Sequence, residues 1–483
     1  MSVLSEKLQY YVDQRGQNIA ELAKRCRIER STLYQYLKGR RPLQNRMQLE
    51  ALMSELHLAP DERAEVLEAY EITRIGIRKY NRRYKVKELL DSLLTVEEEK
   101  IVIREAEYEA DTGKPESYGL LRGELEVNRA VNKVMRDTVT HGGALKLLAQ
   151  PDYEPLMESL LLACDGFMDA RITQIICMEA DSGQDGCRNL DSVRRILRYG
   201  IGIRNYEPRY YYGKAIEHYG MMNAMPYLVV TERYAIQIAS DRKAAVLHDN
   251  PEVVTCFGNM FDKMYQQSRP LMTSVDGFGG RQAKWGENFL ETADFSHTME
   301  MCSGLCSVQF WDERLIRRYM NRNIPGYEAM VEDYIAYTAA LYQAKRRGNI
   351  TVLMNTSFVE KFIQTGVFRE YPAVFFAEPV SPADRRDLIG RILKAVEEGW
   401  YHIRMIPAED FSLSYRWEVL ACRGDSLLLQ YSARNQFRLF EFEEADILEA
   451  VYDFLESISE KENVLDDARS AALLRGWMEK YLA

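Results

Sequence analysis

Between Asn18 and Gly39 the chain spells two short amphipathic helices only a few residues apart, a spacing that leaves each to bury its apolar face against the other at a steep crossing. Ile19, Leu22, Ala23 and Cys26 recur at helical spacing behind Asn18, a residue type that caps helix starts. Cys26-Arg27-Ile28 then forms a short turn in which Ile28 plugs the angle between the helices. The next helix starts near Glu29 and buries Leu33, Tyr36 and Leu37, and small Ala23 sits where the two helices cross. Lys38-Gly39 closes it, because glycine readily takes the left-handed conformation past a helix end. Leu4, Leu8, Tyr11 and Val12 predict a preceding helix over residues 3–14, residues 47–56 a fourth, and Pro60-Asp61 opens a fifth through about Ile72. Residues 1–72 are therefore expected to form an all-α, five-helix domain.

The second helix of the pair turns Arg30, Ser31, Thr32 and Gln35 outward. Short polar and amide side chains on the first two turns of a helix fit the DNA major groove, where Gln reads adenine bidentately and Arg reads guanine. The string from Asn18 to Pro42, with its Gly-basic-basic-Pro tail, resembles the XRE family, the lambda repressor-like helix-turn-helix domains. The resemblance covers roughly residues 1–70. It implies base contacts from Arg30, Ser31, Thr32 and Gln35, and phosphate contacts from Asn18, Lys38, Arg40 and Arg41. Two positions depart from the family: Arg27 stands where it usually has a turn Gly, and Ile19 where it often has a phosphate-binding Gln. Arg27 either donates to phosphate or is a tolerated non-glycine residue in a left-handed turn. A helical module that binds protein instead of DNA is the plainer alternative.

Charge is distributed accordingly. The net charge of the chain is −10, yet residues 1–46 carry +6 and the remainder −16. A basic head on an acidic body suits one small domain that meets phosphates while the rest does not. No apolar run approaches the roughly 18 residues that span a bilayer, and the first twenty residues mix charge through their apolar positions, so a soluble, cytoplasmic protein is expected. The eight scattered cysteines fit a reducing interior.

Residues 73–110 read as a basic linker and helix, since residues 74–87 hold seven basic residues and no acid. They either extend the DNA footprint or form a solvated helix face. Leu89, Leu90, Leu93, Leu94, Val96, Ile101 and Ile103 follow at partly helical spacing and offer a surface for a second copy. A homodimer is expected independently, because one reader helix touches only a few base pairs and a two-fold pair matches a palindromic site.

Beyond residue 110 the pattern becomes mixed α/β, divided into halves at 111–275 and 276–483. Strands are predicted at 172–178, 227–231, 235–239 and 243–247, with helices at 189–199 and from Pro251. A similar order returns with strands at 350–354, 401–405, 417–421, 426–431 and 436–442 and helices at 358–368 and 446–457. Residues 227–266 and 417–458 match in order and length, a weak internal duplication. Two related halves would enclose a cleft able to hold a small molecule. The architecture is similar to that of large XRE-type regulators with uncharacterised C-terminal sensor or assembly regions.

Chemistry-bearing motifs are scarce. The six histidines are far apart and none has metal-ligand spacing, while Cys302 and Cys306, the only close cysteine pair, lack a second pair or nearby His, so no metal site and no cofactor are expected. Asp276-Gly-Phe-Gly-Gly-Arg281 lacks the strand-loop-helix context and Lys-Ser/Thr of a P-loop and reads as a loop, and Arg209-Tyr210-Tyr211-Tyr212-Gly213 reads as core aromatics. No Gly-x-Ser-x-Gly elbow is present, so no catalytic residue is assigned and the chain is not expected to be an enzyme. The expectation is a sequence-specific transcriptional regulator of bacterial type, with double-stranded DNA as partner and a body that dimerises or senses a small-molecule or protein effector. The alternatives are an enzyme or toxin-like effector with an autoregulatory DNA-binding head, and a DNA-binding assembly protein.

Overall fold

The computed structural model describes residues 2–95, 119–164, 169–180, 187–220, 223–276, 286, 288–302, 304–376, 378–408, 413–414, 416–433 and 436–482. The chain divides into two compact units, one of residues 1–85 and one made of residues 86–182 and 188–483.

In the first unit, α1 (Val3–Gln14), α2 (Ile19–Arg25), α3 (Arg30–Leu37), α4 (Arg46–Glu55) and α5 (Pro60–Ile75) enclose one apolar core. Leu22, Leu33, Leu49, Met53 and Val66 are buried at its centre. Each helix start has a local cause. Ser2, Asn18 and Asn45 accept backbone N–H bonds from Ser5, Ala20 and Gln48, and Pro60 opens α5 while Glu62 accepts from the Ala59 N–H. The five helices lie where the sequence predicts them, the last running three residues further.

The expected linker is helical: α6 (Ile77–Thr95) crosses the boundary between the units. Val86, Leu89, Leu90 and Leu93 are buried in the core of the second unit, and the Leu93 carbonyl accepts from Trp417 Nε1 at 3.1 Å. These leucines are therefore covered by their own chain and offer no face to a second copy, because an apolar stripe is buried by whatever apolar surface lies nearest. The Leu94 side chain, Val96, Ile101 and Ile103 lie outside the described residues.

The second unit holds two sheets. Its first half runs β1 (Gly119–Arg122), α7 (Glu124–Thr140), β2 (Ala144–Leu148), α8 (Glu154–Cys164), β3 (Arg171–Met178), α9 (Arg188–Gly202), β4 (Asn205–Tyr212), α10 (Ala215–Tyr219), β5 (Tyr227–Val230), β6 (Ala235–Ile238), β7 (Ala244–His248), α11 (Pro251–Gln267) and β8 (Arg269–Pro270). Its second half runs β9 (Thr273–Asp276), β10 (Thr298–Cys302), α12 (Glu313–Tyr319), α13 (Tyr327–Arg346), β11 (Ile350–Asn355), α14 (Thr356–Thr365), α15 (Pro382–Glu397), β12 (Tyr401–Ile406), β13 (Trp417–Cys422), β14 (Ser426–Ala433), β15 (Gln436–Phe442), α16 (Ala445–Ser459) and α17 (Asp467–Tyr481).

The sheet orders are β1-β7-β6-β5-β2-β3-β4-β8 and β9-β15-β14-β13-β10-β11-β12. Apart from the short edge strand β8, each strand of one sheet corresponds to the strand eight numbers later in the other. The directions agree too: β2-β3-β4 and β10-β11-β12 are parallel, and every other pairing is antiparallel. The duplication noticed over four elements thus extends through the whole sheet. Its second copy starts with β9, three residues before the expected boundary at 276, because β9 pairs with β15.

Side-chain alternation gives the second sheet two buried faces. Met299, Met301, Trp417, Val419, Ala421, Leu427 and Leu429 join the core shared with the first half, while Cys302, Leu420 and Cys422 face a separate core covered by the helices of the second half. The halves meet through that shared core. Arg438 Nη1 crosses the contact to bond the carbonyls of Gly200, Ile201 and Ile203 at 2.5, 2.8 and 3.4 Å, and the Tyr212 hydroxyl donates to Glu444 at 2.6 Å. Tyr210 is buried as predicted, whereas Tyr212 at the end of β4 keeps 42% of its surface exposed. Residues 277–281 of the glycine-rich loop lie outside the described residues. Among the described residues no helix is long and apolar enough to cross a membrane.

Candidate nucleic-acid interface

Two consecutive helix ends set the geometry of α2 and α3. At the end of α2 the Ile28 N–H bonds the Ala23 carbonyl at 2.9 Å and the Arg27 N–H bonds that of Lys24 at 3.3 Å, the paired bonds of a Schellman motif. That motif needs a left-handed residue, and Arg27 supplies it with φ +52°. The chain then turns so that Ile28 is buried and α3 starts two residues later. The end of α3 repeats the device: the Arg40 N–H bonds the Gln35 carbonyl at 2.9 Å, the Gly39 N–H bonds that of Tyr36 at 3.1 Å, and Gly39 has φ +64°. Ala23 and Leu33 are buried in the same core, and the small Ala23 side chain leaves room for α2 and α3 to approach closely.

The residues expected to touch DNA lie outside this core. Arg30, Ser31 and Gln35 are exposed and Thr32 is half-buried. Asn18, Arg27, Lys38, Arg40 and Arg41 are exposed as well. Asn18 already accepts from the Ala20 N–H at 2.8 Å, so its carbonyl oxygen is occupied as a cap and only its amide remains available as a donor. The first turn of α3 has no side-chain cap, leaving its leading N–H groups to solvent or to an anion.

Two further residues share this surface, and the list drawn from the sequence omitted them. Tyr34 is 43% exposed, one helical turn beyond Arg30 and Ser31, and the Lys38 ammonium sits 5.9 Å from its ring. Lys24 is exposed on α2. The helical period marks Tyr34 as outward, but its aromatic character suggests core.

Electrostatics separates this surface from the rest of the unit. Lys7, Arg15, Arg25, Arg46 and Arg63 are each paired with a glutamate, at 2.6, 2.7, 3.1, 3.9 and 2.7 Å. Lys24, Arg27, Arg30, Lys38, Arg40 and Arg41 have no ion pair among the described residues. Exposed pairs of this kind add little stability, but they cancel charge locally. Positive charge is thereby left around α3 and the turns that bracket it.

A family profile described as "Helix-turn-helix domain" matches residues 3–66. Among curated proteins none matches the chain. One similar solved structure is that of TrmBL2, described as an archaeal chromatin protein showing a novel mode of DNA binding. The two chains are 13% identical over 50% of this chain and 84% of that one, with a TM-score of 0.23, and so distant a likeness carries no argument here. The match over residues 3–66 and the geometry of α2 and α3 together show that the chain carries an N-terminal helix-turn-helix domain, a DNA-binding architecture, ahead of a mixed α/β body.

Proposed function

We propose that this chain is a sequence-specific transcriptional regulator of the XRE type that acts as a homodimer. The observation that carries the reading is the set of unpaired cations around a helix presenting Arg30, Ser31 and Gln35. In this reading α3 enters the major groove, Arg30 and Gln35 read base edges, and Lys38, Arg40 and Arg41 bind phosphates, with Asn18 and Arg27 contributing where the backbone passes α2. Two copies bind half-sites about one helical turn apart, and the body responds to a ligand or protein effector by favouring one spacing of the reader helices. No catalytic step is part of this role.

Selection of random duplex DNA by the full chain tests the reading, repeated with Arg30→Ala/Gln35→Ala and at two salt concentrations. A palindromic motif that disappears in the variant is expected, each bidentate base contact being worth about 1–3 kcal/mol. Binding that is salt-sensitive but selects no motif would overturn it, since phosphate attraction alone carries no sequence information.

A further inference from the structure

Cys302 and Cys306 lack a second cysteine pair or a nearby histidine in the sequence, but a carboxylate joins them in the fold. Glu300 lies two residues before Cys302 on β10, so strand alternation puts both side chains on the same face. Cys306 returns from the following loop, and its sulfur, the Cys302 sulfur and a Glu300 carboxylate oxygen all lie within 4.8 Å of one another. All three residues are buried. Cys306 adopts φ +51°, a conformation costly for a residue with a Cβ. Its carbonyl is fastened there by Gln309 Nε2 at 3.0 Å and the Tyr401 hydroxyl at 3.1 Å.

We propose that Glu300, Cys302 and Cys306 form a binding site for one thiophilic divalent cation of the zinc class. Two thiolates and a carboxylate are a normal ligand set for Zn2+, which binds four ligands tetrahedrally. A cavity of ≈ 40 Å3 bordered by Glu300, Cys306 and Gln309 adjoins the site. One water needs only about 10–15 Å3, so the cavity can supply the fourth ligand as water.

Charge balance explains the buried lysine beside the cluster. Without metal, the Glu300 carboxylate and the Lys345 ammonium, 2.6 Å apart, cancel while both thiols keep their protons. Binding M2+ forms two metal–sulfur bonds and one metal–oxygen bond and releases two protons to solvent. The cation is then offset by two thiolates, and Glu300 is still offset by Lys345. Those four side chains with the cation are together neutral in both states, so loading exchanges ligands without adding net charge among them.

Burial first, then the neighbouring Cys306 sulfur, and after it the carboxylates of Glu418 and Glu300 push the Cys302 thiol well up, and burial raises Cys306 as well. The other titratable groups packed around the sulfurs are Lys345 on α13, Glu418 on β13, Glu370, Tyr337 and Tyr401.

The test uses the full chain, stripped of metal and kept reduced, titrated with Zn2+ against a chromophoric chelator and separately with Co2+. One equivalent retained against the chelator is expected, together with a thiolate-to-cobalt charge-transfer band that is absent in Cys302→Ser and Cys306→Ser and intact in Cys256→Ser, which alters the exposed cysteine. A band that survives both changes, or no equivalent retained, overturns the site. Should the serine variants fail to fold, X-ray absorption of the zinc-loaded wild-type chain decides. Two sulfur neighbours at about 2.3 Å support the site, and a shell of nitrogen and oxygen alone overturns it.

Discussion

Lys345 on α13 holds its ammonium nitrogen 2.6 Å from a Glu300 carboxylate oxygen on β10, and the two side chains keep only 1% and 8% of their surface exposed. Gln309 Oε1 accepts from the same ammonium at 3.3 Å. Burial opposes the charged lysine, but the charge of Glu300 outweighs it and holds the ammonium above its ordinary range. Removing one member leaves the other as an uncompensated buried charge. Lys345→Met should destabilise the body by about 3–5 kcal/mol, read from urea unfolding of the full chain. Lys345→Met/Glu300→Leu should recover much of that loss, because removing both charges costs far less than stranding one. Equal losses in the single and double variants would refute this account.

The neighbouring carboxyls Glu370 and Glu418 are both pushed up, first by burial. Glu418 is raised further by the charges of Glu370 and Glu300, while bonds from Ser307 and Val308 partly counter the shift of Glu370. A raised folded-state value means the proton is held more tightly in the folded chain. The stability linked to it is full below the unfolded carboxyl value of about 4.3 and is lost as pH climbs through the higher folded values. Chemical denaturation across about pH 4–8 should show this decline, and Glu418→Gln, which removes one of the two charges, should flatten it. An unchanged pH profile in the variant would show that the carboxyls do not interact as described.

Arg27 combines a structural cost with an electrostatic role. Its left-handed backbone suits glycine, so Arg27→Gly should raise the stability of the first unit by up to about 1 kcal/mol in thermal unfolding. The same change should weaken DNA binding and reduce the slope of log affinity against log salt by about one if the guanidinium meets a phosphate. A stabilised variant with an unaltered salt slope would leave Arg27 as a turn residue alone.

Arg438 joins the two halves of the body by donating to three carbonyls at the end of α9. These carbonyls have no further helical turn to bond them, and the guanidinium takes that place. Arg438→Met should cost about 3 kcal/mol and split a single unfolding transition into two, followed by near-ultraviolet circular dichroism. A loss below about 0.5 kcal/mol would mean that the shared apolar core couples the halves without this bridge.

Much of the first unit was legible in the chain itself. Asn18, Gly39 and Pro60 act locally, through hydrogen bonds spanning a few residues, and the apolar periods of Leu4, Leu22, Leu33 and Leu49 identify the core face without knowledge of what packs on it. The strands were legible for the same reason, as apolar runs such as residues 172–178, and the order of β5, β6, β7 and α11 was repeated closely enough by β13, β14, β15 and α16 to be noticed. What the chain could not disclose is which strands become neighbours. β10 pairs with β13 across more than a hundred residues, and that pairing places Glu418 opposite Cys302 of β10. Lys345 meets Glu300 across 45 residues, and Leu89, Leu90 and Leu93 find cover in a core assembled from distant segments. Local sequence determined the helices, the strands and the outward side chains of α3, because capping and periodicity operate over a turn or two. The buried charge cluster, the joining of the two halves and the unpaired cations around α3 were decided only by tertiary structure, because burial and charge depend on neighbours in space.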